Sequence, residues 1–455
     1  MPGKDAAMPQ LTPHPMLVEL LEVAAGRDGE SAARAHVDAG CVTCARKLKE
    51  LATVAVGVLE EDAIERELQA PAAAGEPNRG AVYHHAAEGR RRAQEVVAAL
   101  PGGLPHALAL LARERRQPWY GFLLVGVAQG AARHVPSNPA RCLQLARALE
   151  SESERLVSSQ PPPARAAAEA LLLSCQALHC LGRTPEAREA VHRARAVLRG
   201  DFTAGDFEAA LCDFFEANCA SFERDYENGE RLLKTSASVF ARFGQEHWVG
   251  RALSAYATLL AQKGRNRAAL PLFDEAIEKL DPERDTHVVT TALVNKASTL
   301  AHLELFDEAR TSYARALALA RREGLAYSIH VIRNGLAEID FRRGHLARAF
   351  DSFRELAREA REGGFSDDYL FAQLYVAECL ARLGREPEMR AAVEELRRER
   401  LPFDASPAFE ELFTCLDRGD LDARLIAHVR EYLDAAGEPG ELTAFPYRSI
   451  RLVAS

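Results

Sequence analysis

From residue 118 to residue 435 apolar residues return with the period of an amphipathic helix, in segments separated by breaks of only a few residues. The spacing predicts helix pairs over 118–133 with 137–157, 163–181 with 184–199, 205–222 with 226–243, and 247–263 with 266–280. It continues over 285–303 with 306–322, 326–343 with 346–362, 366–383 with 386–400, and 406–416 with 420–435. Loops this short force the two helices of a pair to run antiparallel. Upstream, Leu17, Leu20, Leu21 and Val23 lie at helix spacing before Gly26, and a second helix runs from about Asp28 to Ala39. Gly40 breaks it. Cys41 opens a long amphipathic helix with Leu48, Leu51, Ala55, Val58 and Leu59 on one face and Lys47, Lys49, Glu50, Glu60 and Glu61 on the other.

The helix pairs repeat. Ala217, Ala257, Ala297, Ala337 and Ala377 are 40 residues apart, and the turn residues Gly264, Gly344 and Gly384 fall on the same grid. A fixed period between 20 and 50 residues marks an array in which each unit buries its apolar face only by stacking on its neighbours. The second helix of each unit carries a small residue, an aromatic four later and a further core residue three after that: Ala269-Phe273-Ala276, Ala309-Tyr313-Ala316 and Ala349-Phe353-Leu356. Leu181-Gly182, Lys263-Gly264, Arg343-Gly344 and Leu383-Gly384 mark the turns. This pattern resembles the tetratricopeptide repeat (TPR). The resemblance implies an all-α, right-handed α-solenoid of TPR-like hairpins. Its period is 40 where the family has 34, the early tryptophan is missing, residues 225–243 are degenerate, and Met389 stands in place of the alanine of the last regular unit. The expected organisation is a disordered lead over 1–13, a small helical domain over 14–70, a Pro/Gly linker over 71–80, the solenoid over 81–436 and an irregular tail over 437–455.

One stripe of the first helices is polar. Asn218, Thr258, Ser298, Glu338 and Glu378 each follow the packing alanine, and Phe222, Gln262, His302, Arg342 and Arg382 lie four residues further on. Asn295, Asn334 and Tyr375, about a turn earlier, extend the stripe. Such a column is expected to face the concave surface, either as the solvated face a helix needs or as a groove for a protein or peptide partner.

Composition narrows the classes. The chain has 455 residues, is 47% hydrophobic and 27% charged, and carries a net charge of −9. That balance argues against a surface for nucleic acid, and the clusters Arg90 to Arg92 and Arg113 to Arg116 read as solvated helix faces. No apolar run has the length of a membrane span, and the first residues do not form a signal peptide, so a cytoplasmic protein is expected. Of nine cysteines, Cys142, Cys175, Cys180, Cys212, Cys219, Cys379 and Cys415 are scattered singly among apolar positions and read as reduced core thiols.

The other two stand together. His36-x4-Cys41-x2-Cys44 lies between two helices, and two thiolates three apart at a helix start can hold one metal ion. Residues 14–68 resemble the zinc-binding anti-sigma-factor domain, with one residue more between His36 and Cys41 than that family has. The resemblance implies structural zinc on His36, Cys41 and Cys44, with His14 the available fourth ligand. A metal-free helical module and a redox dithiol stay open beside it.

Catalytic constellations are missing: no Gly-rich phosphate loop, His-Glu-x2-His pair, Gly-x-Ser-x-Gly elbow or nucleotide fingerprint occurs. The expectation is a non-enzymatic bacterial regulator or scaffold that binds protein or peptide partners through its solenoid. Its N-terminal module would hold a partner such as a sigma factor. The alternative is a pure adaptor for a neighbouring enzyme or signalling system, with metal-free N-terminal helices acting as a docking cap.

Overall fold

A computed structural model of the chain describes residues 35–36, 79–156, 163–199, 206–282, 285–363, 366–398 and 407–435. Apart from short 3-10 turns, every regular element among them is an α-helix. Internal contacts divide the chain into two compact units, one of residues up to Ala177 together with Glu186–Cys212, the other of Leu178–Pro185 with Asp213 onward.

The first unit contains α1 (Arg79–Ala99), α2 (Leu104–Arg113), α3 (Tyr120–Ala131), α4 (Pro139–Ser153), α6 (Thr184–Arg199) from Glu186 on, and most of α5 (Pro163–Cys180). Helices α1 and α2 precede the first predicted pair, and Arg79 and Gly80, expected in the linker, open α1. Small residues set how closely α1 and α3 approach. A methyl group on Gly89 would lie 2.6 Å from Phe122 Cβ, and one on Gly126 2.8 Å from Ala93 Cβ. Gly126, which interrupts an apolar run in the sequence, is therefore a contact point between helix backbones. Glu152 of α4 is buried, and it accepts hydrogen bonds from Arg115 at 2.8 and 2.6 Å, Arg155 at 2.7 Å and the Tyr120 hydroxyl at 2.8 Å. Burial pushes its carboxyl up, but these donors outweigh burial and hold it below the usual range.

The second unit is an α-solenoid of TPR-like hairpins. It is built from the end of α7 (Asp206–Phe222), α8 (Tyr226–Arg242), α9 (Glu246–Gln262), α10 (Asn266–Lys279), α11 (Thr286–His302) and α12 (Phe306–Arg322). It continues through α13 (Ala326–Arg342), α14 (Leu346–Gly363), α15 (Ser366–Arg382), α16 (Glu386–Arg398), α17 (Pro407–Arg418) and α18 (Ala423–Ala435). From α8 to α17 each helix packs on its neighbours in the chain and, more lightly, on the next first helix, as α9 does on α11 and α11 on α13. Two 17-residue helices and two three-residue turns make up the period of 40.

The packing alanines are where the grid places them. Ala217, Ala257, Ala297 and Ala377 are fully buried, Ala337 nearly so, and on the second helices Ala269, Ala309 and Ala349 are fully buried with Phe273 and Phe353 beside them. The degenerate unit keeps the same geometry with other residues. Gly229 occupies the close-approach position, where an added methyl would meet Leu259 Cδ1 at 2.8 Å, and Leu233 and Ser236 replace the aromatic and the alanine. Met389 is buried in the last regular unit.

The turns repeat more strictly than the glycines. Arg224, Gly264, Glu304, Gly344 and Gly384 all have positive φ, between 61° and 80°, at one 40-residue spacing. Around each, the residue after the left-handed one donates its amide to a carbonyl five back, as Leu305 does to Leu300 and Arg265 to Leu260. Arg224 and Glu304 hold a conformation that costs a side-chain-bearing residue about 1–2 kcal/mol. Glu304→Gly is therefore expected to stabilise the protein by roughly 0.5–1 kcal/mol, the strain relieved exceeding the added freedom of the unfolded chain. Thermal unfolding checks this, and a lowered midpoint would contradict it.

Candidate functional site

The polar column of the first helices divides into three groups once it is folded. Thr258, Asn295, Ser298, Tyr375 and Glu378 are buried. Asn218, Phe222, Asn334 and Glu338 are half-buried. Gln262, His302, Arg342 and Arg382 are exposed at the ends of their helices.

The buried members are held by partners within the chain. Asn295 of α11 donates to Thr258 of α9 at 3.2 Å, across adjacent first helices. Ser298 is hydrogen-bonded to the Tyr313 hydroxyl of α12, and burial pushes that phenol up. On α15, Glu378 receives Arg430 Nε at 3.0 Å, and the Arg430 guanidinium lies 4.7 Å from the centre of the Tyr375 ring. Arg430 comes from α18. That last helix packs more extensively on α15 than on its hairpin partner α17, burying Ile426 and Val429 fully. Every residue of α15 from Tyr369 to Leu380 is buried as a result.

Helix α13 differs from both neighbours. Only Ile332, Ala337, Ile339, Asp340 and Phe341 are buried in it, and Tyr327 to Val331 and Arg333 to Leu336 are half-buried throughout, as is Glu338. The grid supplies the reason. The position filled by Asn295 on α11 and Tyr375 on α15 is Gly335 on α13, so no side chain crosses from there to a neighbouring helix. The Tyr313 hydroxyl occupies the space instead, 2.2 Å from where a Cβ on Gly335 would stand. What is left accessible is the stripe Tyr327, Val331, Asn334 and Glu338, one turn apart along α13.

The exposed arginines at the turn edge are engaged too. Arg342 donates to the Ala301 carbonyl at 2.7 Å and lies 5.3 Å from the Phe306 ring centre, and Arg382 lies 4.8 Å from the ring of Phe341. Sequence reasoning missed Tyr327, Val331 and Arg430. The first two sit in the same stripe and were signalled by helix spacing, whereas Arg430 shows its role only in the packing of α18.

Of the metal set, His36 is a half-buried residue in a helical segment, and His14, Cys41 and Cys44 lie outside the described residues. Among the described residues no group of three or more His, Cys, Asp and Glu side chains is placed to hold a metal ion, no disulfide forms, and no helix is long and apolar enough to cross a membrane. Burial pushes the thiols of Cys142 up to about 11 and Cys379 up to about 12, so neither is nucleophilic at neutral pH.

No protein-family model matches the chain, and no curated protein matches it by sequence. Solved structures match in fold. A signal-transduction ATPase with numerous domains (STAND) carrying a tetratricopeptide-repeat sensor, from Pyrococcus horikoshii, is similar with a TM-score of 0.53 and 13% identity, over 92% of this chain and 72% of that one. The apo form of RapI is similar with a TM-score of 0.47 and 11% identity, over 77% and 99%. Aspartyl phosphate phosphatase F from Bacillus subtilis gives 0.44 and 12%, over 87% and 97%. At this identity the likeness to the STAND protein is one of fold.

His287 of α11 gives this face a pH response. Its Nδ1 is buried with no hydrogen-bond partner, and burial together with the charge of Arg251 lowers its pKa to about 4. A depressed histidine pKa means that between about 4 and the unfolded value near 6.5 the unfolded chain binds the extra proton. Stability is thus expected to fall as pH drops through that window, by about 3 kcal/mol, and to level off below it. Denaturant titrations from pH 7 to 4 test this: His287→Phe should flatten the slope, and an unchanged slope in that variant would overturn the assignment.

Proposed function

We propose that this protein is a regulator that binds a protein or peptide through the first-helix face of its second unit, and that it is not itself an enzyme. The observation that carries the reading is the half-exposed stripe Tyr327, Val331, Asn334 and Glu338 on α13, between helices on which the positions equivalent to Val331, Asn334 and Glu338 are buried. A solenoid presents its helices in an open row, and side chains half-exposed along one stripe of that row are placed to meet a ligand. The tetratricopeptide repeat of the Pyrococcus horikoshii protein is described as a sensor, which agrees with a receiving role for such an array. Affinity purification of the full chain with mass spectrometry should recover a partner. The pair Val331→Arg and Asn334→Arg should deplete it at least about ten-fold with the thermal midpoint unchanged, since a buried cation at an interface costs more than 1.4 kcal/mol. Undiminished recovery would rule this face out.

For residues 14–70 the proposal is a docking or switch module of anti-sigma type, with zinc on His36, Cys41 and Cys44 and His14 as fourth ligand. It rests on the sequence pattern alone. Tag-free full-length protein dialysed against metal-free buffer is expected to retain about one zinc per chain, and the Cys41→Ser, Cys44→Ser variant none. Equal zinc in the two would exclude the site, and a partner lost only in the cysteine variant would place binding in the N-terminal module.

A further inference from the structure

The last hairpin departs from the repeat that orders the rest of the second unit. The position 40 residues after Ala377 is Asp417, an exposed aspartate of α17 paired with Arg397 at 2.8 Å. Eight residues, 399–406, join α16 to α17, where the turns of the regular hairpins take three. Helix α18, the second of its pair, takes the place against α15 that a first helix takes elsewhere in the array.

Its hold on α15 is narrow. Ile426 and Val429 are the buried side chains among those described in α18, whereas α15 is buried from Tyr369 to Leu380. Arg430 completes the contact. Its Nε donates to Glu378 at 3.0 Å, and its guanidinium lies 4.7 Å from the ring centre of Tyr375 and 5.9 Å from that of Phe341 on α13. The side chains of Arg430 and Glu378 are only 12% and 7% exposed. Taking both ions out of water costs about as much as their attraction returns, so the pair decides which helix fits while adding little to how firmly it is held. Through Phe341 the contact adjoins α13, whose half-exposed stripe ends one turn back at Glu338.

We propose that α18 is a displaceable occupant of the first-helix face: it covers Tyr375 and Glu378 of α15 within the chain and leaves when a partner takes its place. The inference rests on the reading that this face binds a protein or peptide, and adds how the site is regulated. The chemistry of α18 names the displacing ligand, an amphipathic helix with two aliphatic residues three apart and an arginine directly after the second. Release of α18 joins the α15 column to the stripe on α13, so that one ligand spans both helices.

Two measurements on the full chain test this without the partner. In native-state hydrogen exchange the amides of α18 are expected to exchange at least about a hundred-fold faster than those of α11, through an opening that leaves the array folded. In fluorescence polarisation a labelled peptide of residues 421–435 is expected to bind the Arg430→Ala chain at least about ten-fold more tightly than the wild type, whose own α18 competes at high effective concentration. The same peptide carrying Arg430→Glu is expected to bind neither. Exchange in α18 no faster than in α11 would overturn the proposal. So would equal binding of the peptide to both chains, binding to neither, or binding that the Arg430→Glu change in the peptide leaves intact. Undiminished partner recovery from the Val331→Arg, Asn334→Arg pair would instead remove the binding-face reading and leave these two results standing.

Discussion

The three-residue turn is the constraint on which the solenoid depends. It leaves one residue on each side of a left-handed one, so the chain reverses in the least length that still satisfies the last carbonyls of the first helix. With helix length held at 17 residues, the period follows, and with the period the positions that meet. Small residues must then stand where two helices come closest, because the turn does not allow them to move apart. Alanine, glycine and serine all serve, which is why the unit at 226–242 packs like the others while reading as degenerate.

Charge works on the same turn edge. The turn around 264 carries Lys263, Arg265 and Arg267, the next carries Glu304, Asp307 and Glu308, and the one after carries Arg342, Arg343 and Arg348. Adjacent turns attract: Arg343 pairs with Asp307 at 2.7 Å and Arg342 approaches Glu304 at 3.8 Å. Asp307 is 84% exposed in its side chain, so such a pair contributes only about 0–1 kcal/mol. The alternation matters more for register, since a unit slipped by one place would bring like charges together. Deeper in the array, Asp340 gathers Arg310, His345 and Arg348 around one buried carboxylate and joins α12, α13 and α14 at a fixed offset.

The half-exposed stripe on α13 is a by-product of where that regularity lapses. Column positions on α11 and α15 carry side chains long enough to reach a neighbour, and α18 covers α15 outright. At Gly335 the reach is zero, and α13 keeps an open stripe. A polar residue at a repeat position is therefore not a binding residue by virtue of the pattern: Asn295, Ser298 and Glu378 stand in this column, are buried and are used inside the protein.

The helix pairs, their boundaries within a few residues, the period and the packing alanines were legible in the sequence, because each follows from contacts between residues close in the chain or from a repeat that restates itself. The left-handed turns at Arg224 and Glu304 were not, since no glycine announced them and the neighbouring units impose the conformation. Helices α1 and α2 escaped because α1 is polar over much of its length, and its close contact with α3 depends on Gly89 and Gly126 meeting residues more than thirty positions away. Which polar residues of the column are buried and which stay half-exposed could be decided only by the tertiary structure. That choice turns on Tyr313 reaching Gly335 and Arg430 reaching Glu378, contacts between separate helices whose distance in space no local pattern encodes.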